Sequence, residues 1–518
     1  MRGSHVSTLI VGGGTAGCVL ANRLSADPDH QVALVEAGPD FGPADSGRWP
    51  EAIALTPSPR SWPMLGHHDW GYQAEVAGRR LPYFAGKVMG GSSATNMNGI
   101  AMGLRRDYQR WVALGNPGWS FDDLLPYFQR VERLENDDVP LRGREGQVPV
   151  QRFGLDGPLL DDLRAAAVDA GVPAIADVTG PDAVVGIGGA TRNVRGRRRF
   201  SSASVYLDPA RGRANLTIVA DALVESLTWR GGRAIGALVR AGDTTTQLTA
   251  DRVIVSAGVL GSPLLLQRSG IGDPALLRPI LGESAPIHAL PGVGKNLHDH
   301  YGATIHHQMS ADGADRLYAD EPPEGLTAFT AFLRVASDPS LDAHDHDIIV
   351  GFPPFRIPVR ELQQIRWRVF LVQPESEGSI AISGREATAP PRIETGFGGE
   401  RDLAAIARAV GWVRRLAGHP RLAGWIESEI VPGPSIGPDA LPGWLRDHLD
   451  CYYHPTGTCR MGPATDPMAV ADASGRVHGF DNLFVADASL MPTIPRGMIN
   501  LTVYAMAEKI ADGLAHAT

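Results

Sequence analysis

The sequence predicts an α/β fold of two interleaved domains. One is built from βαβ units; the other, α+β in character, rests on an antiparallel or mixed sheet with helices on one side. The first observation lies at the N-terminus. Thr8-Leu9-Ile10-Val11 is a short β-branched run ending in glycines, residues 16–24 are periodically apolar, and residues 31–35 alternate. Strand, tight turn, helix and strand therefore follow one another. The second observation is that strand runs of the same kind return far down the chain, at 216–219, 252–255 and 483–485. The third is a change of pattern from about residue 302 to 450, where strand-like runs at 304–308, 348–352, 368–372 and 379–382 precede helical periodicity at 400–417 and 439–449. Residues 81–113 read as a glycine-rich loop leading into a helix, 159–170 as a helix, and 501–516 as the closing helix. A chain of 518 residues exceeds the usual size of one core. The expected boundaries are 1–150, 205–301 and 455–518 for the βαβ domain, and 151–204 with 302–454 for the other.

Composition narrows the function classes. The 61 glycines and 40 prolines follow no short repeat, so they mark turns in a globular chain rather than a fibrous or disordered one. With a net charge of -9 and one short basic cluster, Arg195-Gly196-Arg197-Arg198-Arg199, the chain lacks the broad positive stripe of a nucleic-acid binder. No apolar run reaches the ~18–20 residues of a membrane span. Three cysteines, Cys18, Cys451 and Cys459, are too few and odd for a secreted disulfide framework. The spacing of Cys451 and Cys459 fits no zinc pattern, and neither His67-His68 nor His298-Asp299-His300 has further ligands at suitable spacing, so no metal site is expected. Residues 1–5 resemble a tag remnant rather than an export signal, and the expected location is cytoplasmic.

The chemistry begins with Gly12-Gly13-Gly14-Thr15-Ala16-Gly17. In such a G-x-G-x-x-G, Gly12 permits the tight turn, Gly14 lets backbone approach a pyrophosphate, and Gly17 allows close helix–strand packing. The N–H groups opening the helix at Thr15 and Ala16 face the phosphates. Glu36, 19 residues after Gly17 at the end of the next strand, can accept hydrogen bonds from both hydroxyls of a ribose. The domain is thus Rossmann-like, and its N-terminal position favours FAD over a mobile nicotinamide. A second block, Gly86-Lys87-Val88-Met89-Gly90-Gly91-Ser92-Ser93-Ala94-Thr95-Asn96, packs glycines, hydroxyls and an amide into a loop that can touch a flat ring.

These blocks resemble the glucose–methanol–choline (GMC) family of flavoprotein oxidoreductases. Residues 86–96 match its first signature, 258–272 its second, and Val293-Gly294-Lys295-Asn296-Leu297-His298-Asp299-His300 and residues 482–492 match further family blocks. The resemblance spans essentially the whole chain. It implies FAD with its pyrophosphate at residues 12–17 and its ribose on Glu36. It places the isoalloxazine against Gly90, Gly91, Ser93 and Asn96, the adenine near Val224, and the pyrophosphate or ribityl chain near Asp487 and Ala488. Some relatives carry a histidine bonded to the flavin just before the loop asparagine. Thr95 stands there, so the FAD is expected to be non-covalent.

The resemblance assigns catalysis to the block Tyr452-Tyr453-His454-Pro455-Thr456-Gly457. Oxidising an alcohol requires removal of the O–H proton as hydride leaves carbon, and a histidine titrating near neutrality suits that task. His454 is the expected base. Relatives usually place a second His or Asn in a slot that here falls on Met498, a side chain with no useful hydrogen bond to offer an alkoxide. Asn500, two residues on, is expected either to assist catalysis or to cap the last helix or contact the flavin; Tyr452 and Met498 are expected to border the substrate. The leading expectation is an oxidase of an aromatic or heteroaromatic primary alcohol, with Trp62, Trp367 and Tyr452 as lining candidates and O2 as acceptor. The alternatives are a sugar or glycoside secondary hydroxyl, a dehydrogenase using another acceptor, and a flavin-dependent hydroxynitrile lyase. No aromatic-plus-carboxylate cage for choline is evident.

Overall fold

The computed structural model describes residues 5–56, 66–319, 330–352 and 363–516. Its first sheet runs in the order Leu216–Val219, Val32–Val35, His5–Val11, Thr244–Val255, Arg233–Ala241, Ala222–Arg230, and Leu483–Val485 pairs with Thr244–Val255. The pairs among 216–219, 32–35, 5–11, 249–255 and 483–485 are parallel. All four residues of Val32–Val35, and Leu9, Ile10 and Val11 before them, are buried. That continuous apolar reading is what a strand covered on both faces requires. The crossover helix Thr15–Leu24 packs against the last helix, Ile499–His516. Arg23 donates from Nε to one Glu508 oxygen (2.8 Å) and from Nη2 to the other (2.7 Å), and the Tyr206 hydroxyl donates to the same carboxylate (2.7 Å). Chain segments almost 500 residues apart are thereby fixed side by side.

Two strands of this sheet go beyond the expected elements. Ala222–Arg230 and Arg233–Ala241 form an antiparallel hairpin, and the strand expected at 252–255 is the end of one running from Thr244. Gly231 and Gly232 make the turn with φ of 56° and 79°, the double positive φ of the tight hairpins that suit twisted strands.

The second sheet is antiparallel throughout: Ile426–Val431, Tyr301–Met309, Gln364–Leu371, Ile348–Phe352, Ala331–Val335 and Gly186–Gly189, with Asp450–Cys451 paired to Tyr301–Met309. The helix Glu400–Ala417 covers one side, burying Leu403, Ile406, Val410, Val413 and Leu416 at helical spacing. On Gln364–Leu371 the two-residue period separates two faces. Ile365, Trp367 and Val369 point one way, Arg368 and Phe370 the other. Trp367 is fully buried, donating from Nε1 to His307 Nδ1 (3.1 Å) with its ring edge-on to Phe352. This corrects the expectation that Trp367 lines the substrate pocket; Arg368 lines it instead, with Phe370 buried behind Tyr452. Trp62 lies outside the described residues. Among the described residues no helix is long and apolar enough to cross a membrane.

Candidate active site

One cavity, about 460 Å³, runs between the two sheets and joins the motifs. At one end Gly12 (φ +100°) turns so tightly that a Cβ would lie 2.5 Å from the Ser256 carbonyl oxygen. Gly91 (φ +52°) meets Gly14 so closely that its Cβ would stand 2.7 Å from the Gly14 Cα, and the Gly90 N–H donates to the Gly13 carbonyl (2.7 Å). The turn and the loop thus form one cradle. Glu36 is buried at its edge, accepting from the N–H groups of Gly13 and Gly38 (both 2.8 Å). Burial pushes its carboxyl up to about 7 against those two hydrogen bonds. Gly12, Gly14, Thr15, Ala16, Glu36, Gly91, Asn96, Val224, Asp487 and Ala488 all line the cavity.

Three expected contacts stand behind that wall. Gly17 touches strand rather than cavity, because a Cβ there would clash with the Gly12 carbonyl. Gly90 is engaged with Gly13, and Ser93 is buried with its hydroxyl on the Gly90 carbonyl (2.6 Å) and Ser202. They shape the cradle; they do not line it. Asp487 accepts from the Gly258 N–H (2.9 Å), the Ser262 hydroxyl (2.6 Å) and the Ser489 N–H (2.8 Å), so its carboxylate braces the second signature.

At the other end stand Tyr452, His454, Met498 and Asn500. Tyr453, immediately before the histidine, holds φ of +60°, a left-handed conformation costly for a bulky residue, and so turns the chain at this point. The His454 N–H donates to Asp299 Oδ1 (2.6 Å), whose other oxygen accepts from the Tyr83 hydroxyl (2.8 Å). On the ring, Nδ1 of His454 lies 3.1 Å from Nδ1 of the fully buried His300. Burial, followed by the Arg368 guanidinium, pushes the His454 imidazole down to about 3. The near-neutral histidine expected from sequence is therefore a strongly depressed one, uncharged at neutral pH. Tyr452 stacks on Phe370 (centroids 3.5 Å apart), and Met498 packs in a cluster with Phe332, Phe370 and Ala190. Asn500 lies inside the first turn of Ile499–His516 rather than capping it; its Oδ1 accepts from Thr15 (3.3 Å), while its buried Nδ2 has no partner among the described residues.

Residues 6–302 match the N-terminal, and residues 374–507 the C-terminal, GMC oxidoreductase family profile. The chain belongs to the GMC oxidoreductase family. It is 33% identical to the oxygen-dependent choline dehydrogenase of Klebsiella pneumoniae, over 98% of this chain and 95% of that protein. It is 34% identical to the Pseudomonas aeruginosa protein of the same name, over 97% and 93%. Among solved structures it is similar to pyridoxine 4-oxidase from Mesorbium loti, with TM-score 0.88, 32% identity, and coverage of 99% of this chain and 100% of that one. A fungal aryl-alcohol oxidase shares the fold at TM-score 0.82 and 22% identity, over 98% of each chain.

The GMC chain is accordingly an FAD-dependent enzyme acting on CH–OH donors, and its residues fit the cofactor. The glycine cradle leaves room for backbone contact with a pyrophosphate, Glu36 offers carboxylate oxygens at the cavity wall beside it, and the loop 86–96 lines the same cavity as His454. Sequence reasoning missed Asp299, His300, Arg192 and Arg368. His300 was within reach, since the block 293–300 that carries it was already singled out; the arginines carry no local signature and join His454 in one cavity only through the fold.

Proposed function

We propose that this protein oxidises an aromatic or heteroaromatic primary alcohol, with His454 as the base and O2 as the electron acceptor. The observation that carries the reading is His454 itself: a neutral imidazole, fixed through its backbone by Asp299 and through Nδ1 by His300, at the mouth of an aromatic-lined chamber. Bound FAD supplies the hydride acceptor and the route of the electrons to O2. Two ring nitrogens 3.1 Å apart share one proton. We assign the shared proton to His454 Nδ1, with His300 accepting, which leaves His454 Nε2 bare toward the cavity to take the hydroxyl proton. Asn500, through its Nδ2, which has no partner among the described residues, orients the alcohol oxygen. Tyr452 and Phe332 supply flat apolar walls for an aromatic ring, Tyr452 backed by Phe370. The oxidase reading also draws on the pyridoxine 4-oxidase likeness, and a non-covalent FAD on Thr95, which has no nitrogen to link.

The test is a panel of benzylic, pyridyl-methyl, sugar and aliphatic alcohols scored by anaerobic bleaching of the flavin, then by peroxide formation in air. Bleaching by aromatic alcohols with peroxide on reoxidation is expected. Bleaching by sugars alone overturns the substrate; reoxidation only by an artificial acceptor overturns the oxidase.

A further inference from the structure

We propose that the alcohol carries a carboxylate, held by the guanidinium groups of Arg368 and Arg192 at the His454 end of the cavity. This rests on the alcohol-oxidase reading above and names the chemistry of its substrate more closely.

Arg192 borders the cavity and is 1% exposed, and none of its three guanidinium nitrogens has a hydrogen-bond partner among the described residues. Burial pushes its guanidinium down to about 10, which still leaves it charged at neutral pH. A buried cation without a counter-charge is costly and rarely retained without a use. The neighbouring buried arginines show what compensation looks like here. Arg496 donates from Nε to Asp107 (2.8 Å), Arg142 pairs with Glu132 and Asp177, and Arg334 donates to the carbonyls of Val178 (2.6 Å) and Arg496 (3.0 Å). Arg199, closer to the 86–96 loop, donates to Asn96 Oδ1 (2.7 Å) and does not line the cavity. Arg192 bridges to Gly99, whose Cβ would meet Met498, so it belongs to the Met498–Tyr452 end.

Arg368 comes from Gln364–Leu371 of the second sheet. It lies over Phe370 (5.0 Å) and Tyr452 (5.8 Å), and pairs from Nη2 with the half-exposed Asp450 (3.1 Å), while its Nε is buried without a partner among the described residues. The carboxylates that line the cavity are committed elsewhere. Glu36 accepts from Gly13 and Gly38, Asp69 from Gly71 and Ala85, and Asp487 from Gly258 and Ser262. With those lining carboxylates engaged, Arg368 and Arg192 set the charge of the chamber, and no lining carboxylate among the described residues is free to receive a quaternary ammonium. Choline, the substrate in the names of the curated relatives, is the wrong charge for it. A carboxylate on Arg368 would also screen that cation from His454, strengthening the base when the substrate arrives.

Flavin bleaching under anaerobic conditions, followed against concentration for 4-(hydroxymethyl)benzoate, 4-methylbenzyl alcohol and choline, tests this on the holoenzyme. The carboxylate is expected to half-saturate about 10- to 100-fold below its neutral counterpart, the range of a charge-assisted hydrogen bond, and choline to leave the flavin oxidised. Arg368→Met and Arg192→Met should each shrink that ratio toward one. If the variants fold poorly, unreactive benzoate and benzylamine can be compared on the wild-type protein by perturbation of the flavin spectrum; benzoate binding alone is expected. Equal saturation by charged and neutral alcohols, or benzylamine binding, overturns the proposal and leaves the alcohol-oxidase reading standing. Loss of FAD from Arg192→Met with the ratio intact assigns that arginine to the cofactor and overturns its part. Absence of bleaching by every alcohol overturns the underlying reading instead.

Discussion

At the level of single residues the site turns on an imidazole kept neutral. A base must be deprotonated to act, so its rate falls only as pH drops through its own pKa. With His454 pushed down to about 3 by burial and Arg368, the flavin-reduction rate should stay flat from pH 8 to pH 5. A limb centred near 6.5 in that measurement would show a solvated histidine and contradict the buried geometry. His454→Ala should keep its FAD and lose about 100- to 10,000-fold in flavin reduction by stopped flow, the span typical of a positioned base. Glu36 supports a second prediction. Both its oxygens accept from backbone N–H groups, so Glu36→Gln turns an NH2 toward one of those donors as well as weakening the bonds to ribose. FAD retention, measured by dialysis and fluorescence of released flavin, should drop, while protein that keeps its flavin reduces at the wild-type rate.

Among elements, the cradle depends on a loop and a turn touching through glycines. Gly91→Ala places a Cβ 2.7 Å from the Gly14 Cα and forces an L residue into φ +52°, ψ -141°, a conformation that glycine alone adopts readily. The two segments must separate, and the expected result is folded protein purified without flavin. Full FAD occupancy at wild-type affinity would show the contact to be slack. Such elements were legible to different degrees. The first helix and second strand fall within one residue of their periodicities, the first strand begins three residues before its expected run, and the helices Glu400–Ala417 and Ile499–His516 fall within two. The hairpin of Ala222–Arg230 and Arg233–Ala241 escaped because charged and apolar residues alternate there without a continuous run. Its Gly231-Gly232 pair between alternating segments was nevertheless a turn signal. Trp367 was misplaced for a physical reason: composition shows an aromatic, while only strand register decides which face it takes.

For the whole molecule, the cavity is walled by segments from both ends and the middle of the chain: residues 11–16, 86–99, 222–224, 256–268 and 487–503. Motifs announce each segment locally, but no spacing in the sequence says that Arg192, on a short strand paired with Val148–Arg152, and Arg368, on the second sheet, will line one cavity with His454, because proximity of that range is settled by the tertiary fold. The same construction makes the cofactor a structural partner. A ligand that binds only the folded state stabilises it by mass action, about 2.7 kcal/mol at a hundredfold excess over its Kd. Removing FAD, by acid ammonium sulfate at low temperature followed by desalting, should therefore lower the melting temperature in a way that added FAD restores. The loss should not be spread evenly. Hydrogen exchange should rise together in peptides covering 12–17, 86–96 and 487–500, which meet at the cavity wall, while the helix Glu400–Ala417, packed on the second sheet, keeps its protection. Faster exchange confined to residues 12–17 would mean that the loop and the C-terminal segment hold their positions without the cofactor, and that the cradle is already closed before FAD arrives.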